Sequence, residues 1–382
     1  MMRICFISHS SGQHGAELAL LELLEGLVKL GVSCMVIVPK EGPLISELEH
    51  LKIPWEIASY PRWLSRPIGI YYRLARNIIS LIRSVQVAKI AKQWNCDIVY
   101  SNTSSISVGA FGAWLANKPH VWHLHESGYK MGLKYDLGEF WTARLINSLS
   151  AAIIVVSHSL KKYYSQYIPS SKMSLVYQSV TRHNKIEKTY KSNRDNQIFQ
   201  CLIISSLHPY KGQIEAIKAL SELIQKGINI QLLIIGHGWK NFQLELFKQV
   251  KEHNLEQYVE FIGYKKNPME YLQSTDTVLI CSQWEAFGRV TIEAMLAGKP
   301  VIGSAAGATA ELIQDGITGL LYNSGDHLEL ANKIQYLYEN LEERLKIGAS
   351  ARNWADNRFT QERHAKEIFN ILEELLKKRN QL

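Results

Sequence analysis

Two carboxylates, Glu285 and Glu293, stand eight positions apart in the stretch SQWEAFGRVTIEAMLAGKPVIGS (282–304). A strand-like TDTVLICS precedes them, so residues 283–288 read as a strand-to-helix loop and RVTIEAMLAG as the helix. Gly288 then sits at the helix start, where unpaired backbone N–H groups and the helix dipole favour an anion. Arg289 falls in the first turn, a place that suits a cation only when an anion faces it too. Glu285 lies on the loop and Glu293 more than a turn into the helix, so the two address different parts of one ligand. The plain alternative makes both solvated charges. Against it, Glu293 sits among apolar neighbours in VTIEAML, where a carboxylate needs a partner.

Other candidates follow strand-like runs in the same way. Lys211, in SSLHPYKGQIEAI (205–217), opens a helix after a strand, which can set its ammonium over a diphosphate; a solvated charge is the alternative. The GHG at 236–238 lacks a third glycine at the dinucleotide spacing, so a nicotinamide-cofactor fingerprint is not supported. HVWHLHE (120–126) carries three histidines. His123 and His125 share a strand face, but no further ligand completes a metal set, and none is expected. His123, the deeper of the two, reads as a core histidine. Gly15, in SSGQHGAELALLELL, lets the backbone approach a sugar or phosphate closely.

The elements that must position these residues alternate in β/α fashion. RICFISHS, VSCMVIVP, DIVYSN, HVWHLHE and SAAIIVVS read as strands, with AELALLELLEGLVKLG an amphipathic helix. Residues 181–197 are polar and aperiodic and read as a linker. The alternation restarts with FQCLIISSL, INIQLLIIGHG, VEFIGY, TDTVLICS, PVIGS and GLLY. Continuous apolar strands separated by helices predict parallel sheets covered on both faces. The expected class is α/β: two doubly wound domains, 1–180 and 198–359, and a final helix over 360–382 that packs back on the first. Such sheets bind ligands outside the carboxyl ends of their strands, where strand order reverses.

Bulk properties set limits. The chain has 382 residues, 46% of them hydrophobic and 20% charged, enough for two domains with ordinary cores. No apolar run approaches the roughly 20 residues of a membrane span, and MMRICFISHS is too short for an export signal. A cytoplasmic location is the expectation. Five scattered cysteines without a C-x-x-C pair suit reduced, buried thiols. The net charge of +8 implies attraction to polyanions. Residues 61–92 concentrate it: Arg62, Arg66, Arg73, Arg76, Arg83, Lys89 and Lys92, no acidic residue, and Trp63, Tyr71 and Tyr72 interleaved. An anionic membrane surface is the first partner this pattern suits, peripheral on the inner face of the cell membrane. A plain solvated helix face is the alternative, and nucleic acid is set aside.

The opening segment resembles the E-x7-E signature of retaining glycosyltransferases of family 4, whose GT-B fold has two facing Rossmann-like domains. The match runs in register through Glu285, Phe287, Gly288, Glu293, Ala294, Met295, Gly298, Pro300, Val301 and Ile302, and continues at Glu311, Gly316, Gly319 and Leu321. The resemblance implies that Glu285 holds hydroxyls of a donor sugar and Glu293 the ribose of its nucleotide. Backbone groups of Ala286, Phe287 and Gly288 would meet the sugar and diphosphate, and Gly263 and Tyr264 the base. His125, followed by Glu126, would lie beside the reacting sugar, and Gly15 matches the family's glycine-rich loop. Where the family has Gly-Arg before its Lys-Gly, this chain has Ser205-Ser206, so Lys211 is kept, one cation is missing, and Arg289 is its candidate replacement. Gln178-Ser179 departs from the family's Asn-Gly.

The implied function is transfer of a sugar, with retention and without a metal, from a UDP- or GDP-linked donor to the hydroxyl of a glycan or lipid-linked acceptor. Bacterial polysaccharide or glycolipid synthesis is the implied setting. The nucleotide-sugar is a substrate, and no cofactor is expected. Two other classes stay open on the sequence: a non-catalytic nucleotide-sugar or polyanion binder, and a dinucleotide-dependent oxidoreductase.

Overall fold

A computed structural model describes residues 1–65, 69–181 and 198–381. Arg66, most of the linker (182–197) and Leu382 lie outside the described residues. The chain divides into two compact units, Met1–Thr181 with Phe359–Leu382, and Arg182–Arg358.

The first unit is built on strands β1 (Arg3–Ile7), β2 (Ser33–Val38), β3 (Trp55–Ile57), β5 (Ile98–Ser101), β6 (His120–Leu124), β8 (Ala152–Val155) and β9 (Met173–Leu175). They form one parallel sheet in the order β3-β2-β1-β5-β6-β8-β9. A separate antiparallel ribbon pairs β4 (Leu64–Ser65) with β7 (Lys134–Tyr135). The order reverses between β1 and β5, because the chain winds first to one side of β1 and then to the other. Alternate residues of each strand enter different cores. Ile4 and Phe6 pack with Leu20 and Leu24 of α1 (Gly15–Lys29) and Ile368 of the last helix, α14 (Gln361–Asn380). Cys5 and Ile7 pack with Val87 and Ala91 of α3 (Ile70–Gln93) and Ala113 of α4 (Val108–Ala116).

Short helices α2 (Pro43–His50), α5 (Gly138–Leu149) and α6 (His158–Tyr164) complete this unit. Thr360 caps α14 by accepting from the Arg363 amide. A Cβ on Gly26 would come within 2.5 Å of the Ala365 Cβ, so α1 and α14 meet backbone-close. All five cysteines of the chain are buried and unpaired, and burial pushes the thiols up, Cys96 to about 11.

In the second unit the parallel sheet runs β12-β11-β10-β13-β14-β15, the doubly wound order. Its strands are β10 (Phe199–Ile204), β11 (Ile230–Ile235), β12 (Val259–Gly263), β13 (Thr277–Ile280), β14 (Val301–Ser304) and β15 (Leu320–Tyr322). The helices between and after them are α7 (Gln213–Gln225), α8 (Lys240–Glu252), α9 (Met269–Ser274), α10 (Arg289–Leu296), α11 (Thr309–Leu312), α12 (His327–Glu339) and α13 (Leu341–Arg358). Strand β13 stops at Ile280, two residues before the end that the sequence predicts. The small residues after Glu293 serve two neighbours. Ala294 is buried toward the sheet, whereas a Cβ on Gly348 of α13 would lie 2.3 Å from the Gly298 carbonyl oxygen.

Three of the residues named in 61–92 are engaged within the unit. Trp63 is buried and stacks on Trp122 with ring centroids 5.9 Å apart, while its indole N–H donates to the Ser104 carbonyl at 2.7 Å. Arg73 donates to the Asp136 carbonyl, and Arg76 pairs with the Asp136 carboxylate and donates to Ser65 Oγ. Two of the seven cations are thus spent on an internal acid beyond the segment, which a scan of 61–92 alone does not reveal.

Candidate active site

Candidate residues are found in each unit, and each set lies at a switch in that unit's own strand order. In the second unit the loops after β10 and β13 meet where the order reverses. Gly212 is left-handed, with φ 69°, and a Cβ there would lie 2.1 Å from the Cys281 carbonyl oxygen. The Gln283 amide donates to the Tyr210 carbonyl at 2.9 Å, which fastens one loop to the other. These contacts bring Lys211 to Glu285: Nζ and Oε1 are 2.5 Å apart, and both side chains are mostly shielded. Ser282 Oγ donates to the same carboxylate oxygen at 2.6 Å. Ser282, the second residue past the strand, is a site residue that sequence reasoning missed.

Gly288 is the N-cap of α10, left-handed with φ 92°. Ala286 and Phe287 are buried in the loop before it. Arg289 is the first helical residue, and its Nε lies 3.8 Å from Glu293 Oε1, one turn on. The two glutamates therefore have separate cationic neighbours, Lys211 for Glu285 and Arg289 for Glu293. Ser205 and Ser206 are held by Gln213, whose amide nitrogen donates to Ser205 Oγ at 2.9 Å and to the Ser206 carbonyl at 2.8 Å. Farther along the same edge, the Gly263 carbonyl accepts from the Gly236 amide at 3.0 Å, and the half-exposed Tyr264 ring meets His237 edge-on.

In the first unit, Gly15 is the first residue of α1, behind a capping box of His14 and Glu17. The second Glu17 oxygen lies 3.3 Å from His9 Nε2 just after β1. Burial drives the His9 pKa well down, against the pull of Glu17. His125 follows the end of β6. Its Nδ1 is 2.6 Å from the Gln178 amide nitrogen, and both side chains are buried. His123 lies below, with ring centroids 4.2 Å from those of His125 and Nδ1 bonded to Tyr100 at 2.7 Å. Glu126 accepts from the Ser104 amide at 3.0 Å and from Ser104 Oγ at 2.9 Å. Burial outweighs these donors and raises Glu126 to about 7. Gln178, marked in the sequence only as a departure, thus supports His125, and Ser104 and His9 were not singled out at all. Among the described residues no three histidine, cysteine or acidic side chains converge as a metal-ligand group.

The second unit offers a cation beside a carboxylate ahead of a helix and a second such pair one turn on, and the first unit offers a propped histidine at a strand end. Comparison with known proteins gives the class. Residues 14–182 match the model of glycosyltransferase family 4, and residues 184–354 that of glycosyl transferases group 1. The chain is 27% identical over 306 residues to an uncharacterized glycosyltransferase of Methanocaldococcus jannaschii, covering 78% of this chain and 82% of that one. It is 27% identical over 236 residues to the N-acetyl-alpha-D-glucosaminyl L-malate synthase of Bacillus anthracis, covering 60% of this chain and 61% of that one. Among solved structures, Anabaena HepE superposes with a TM-score of 0.81 and 26% identity over 98% of this chain and 100% of its own. HepE was solved with UDP and glucose, and separately with UDP-glucose. The chain belongs to glycosyltransferase family 4 and has the GT-B fold.

Proposed function

We propose that this glycosyltransferase moves a sugar from a UDP-linked donor to an acceptor hydroxyl, retaining the anomeric configuration and using no metal. The Lys211–Glu285 pair at the strand-order switch carries the reading. The second unit would bind the donor and the first the acceptor. In the resting pair Lys211 neutralises Glu285. A donor diphosphate draws the ammonium to itself, which leaves Glu285 to accept from sugar hydroxyls. Arg289 and the amides at the start of α10 add positive potential where leaving-group charge grows, as preorganised donors do without a metal. Glu293 holds the ribose, Gly263 and Tyr264 flank the base, and His125 steadies the sugar.

The bond from the anomeric carbon to the phosphate oxygen breaks through an oxocarbenium-like state. The acceptor oxygen bonds on the same face, and its proton passes to the departing diphosphate. Glu285 positions and does not attack. HepE's complexes support UDP over GDP as the carrier. The acceptor in this reading is a glycan or lipid-linked glycan of polysaccharide or glycolipid synthesis, met at the inner face of an anionic membrane.

The test is a thermal-shift and turnover screen over UDP- and GDP-sugars with EDTA present, the product anomer being assigned by proton NMR. A UDP-sugar should raise the melting temperature and give a retained product. Glu285→Gln should lower kcat about 100-fold. An inverted product, or activity abolished by EDTA and restored by a divalent ion, would refute the mechanism.

A further inference from the structure

Helix α3 is amphipathic the wrong way round for a helix on a soluble sheet. Its buried positions are small: Ser80, Ser84, Val87, Ala88 and Ala91. Ser80 Oγ bonds Ser107 Oγ at 2.8 Å, and Ser84 Oγ donates to the Ser80 carbonyl at 2.8 Å. A Cβ on Gly112 would lie 2.7 Å from Val87 Cγ1, so small residues let α3 lie close on α4. The large apolar residues point out. Tyr71, Leu74, Ile78, Ile82 and Val85 follow helical spacing and are 84%, 54%, 58%, 63% and 61% exposed. The two neighbouring helices of the layer, α4 on α3 and α5 on α4, carry exposed indoles as well. Trp114 of α4 is 69% exposed and Trp141 of α5 is 64%. Beside Trp141 and Arg144 lies an open groove of about 540 Å³, lined mainly by apolar atoms. So many large apolar side chains exposed on one layer mark a contact.

We propose that the outer surface of the α3–α4–α5 layer docks on an anionic lipid bilayer, seating the aliphatic stripe of α3 and the indoles of Trp114 and Trp141 at its interface. Charge selects this occupant. Helices α3 and α4 contain no acidic residue, and Glu139, the single one on α5, is bonded by the Tyr163 hydroxyl and the Tyr129 amide. Arg83, Lys89, Lys92 and Arg144 supply exposed cations on the same helices. Pairing with a second copy would bring these cations together, whereas anionic headgroups neutralise them. Tyrosine and tryptophan suit the headgroup level. Among the described residues no helix can cross a membrane, so the contact is peripheral. The inference replaces the basic face read from 61–92 by an apolar one with a cationic margin. It rests on the proposed function only for its purpose, which is to hold the enzyme where a membrane-presented acceptor lies.

The test is co-sedimentation of the full chain with vesicles of phosphatidylcholine alone and of equimolar phosphatidylcholine and phosphatidylglycerol. Wild type should bind the mixed vesicles. Ile78→Ser with Ile82→Ser should weaken that binding at least about tenfold, and Arg83→Gln with Lys89→Gln should erase the preference for anionic lipid. These side chains are exposed, so melting temperatures should hold, and turnover with a short soluble acceptor should equal wild type. No binding of wild type, or equal binding by the serine variant, overturns the proposal. So does a wild-type dimer without lipid that the serine variant dissociates, since the face is then a self-interface. Lipid binding without any sugar transfer would instead sink the proposed function and leave the face standing.

Discussion

Gln178 shows what a single side chain adds to the site. Its amide nitrogen donates to His125 Nδ1, which places the imidazole proton on Nε2 and makes that nitrogen a donor. A donor suits the hydroxyl or ring oxygen of a sugar. Gln178→Leu should therefore lower kcat about 10–100-fold with little change in donor KM. Gln178→Glu should pull the proton to Nδ1 and raise the His125 pKa, moving the acid limb of the pH–rate profile upward. An unchanged profile in the glutamate variant would mean that Gln178 only fills space. The sequence revealed Glu285, Lys211, Arg289 and Glu293 as residue types at telling positions. It could not reveal that Lys211 pairs with Glu285 or that Gln178 props His125, because those partners lie 74 and 53 positions away along the chain. Ser282 stayed invisible for another reason, since a serine after a strand carries no periodic or charge signal.

Among the elements, the strands with continuous β-branched runs and the helices with a clear 3.6-residue period could be read directly. The three-residue strands Trp55–Ile57 and Met173–Leu175 could not, being too short for any period and defined by the neighbour they pair with. Helix α3 misled because its charges stand out in the sequence, whereas small residues facing α4 decide its orientation. Glycine at 212 is where element geometry meets chemistry. Its left-handed backbone ends the turn holding Lys211, and its bare α-carbon lets that turn rest on the Cys281 carbonyl. Gly212→Ala should cost about 1–2 kcal/mol for the conformation and more for the overlap, in all about 3 kcal/mol. Urea unfolding measures the loss, and donor KM should rise as Lys211 is displaced. A stability loss within about 0.5 kcal/mol of zero would show that the loops separate easily.

At the scale of the whole molecule, titration behaviour is unevenly placed. His9, His120 and His123 all lie in the first unit, and burial pushes each pKa below the usual histidine value, His120 to about 3. A histidine depressed in the folded state contributes stability that is present above the unfolded value of about 6.5 and is lost as pH falls toward the folded one. Glu126 has the opposite sign. Raised to about 7, it favours the folded state most below the ordinary carboxylate value, and that gain fades as pH rises through 7. Burial also raises Glu139 and Asp136 in the same unit, and the three depressed histidines outweigh these carboxyls between about pH 6.5 and 4. Calorimetric melts taken from about pH 7.5 down to 4.5 should show the first unit's transition falling steeply. His120→Phe, which keeps an apolar ring in the buried site, should remove about one proton's worth of that slope while losing the bond to Ser101 Oγ. A melting temperature that stays flat across this range, or the same slope in wild type and His120→Phe, would show that these imidazoles protonate without unfolding the unit.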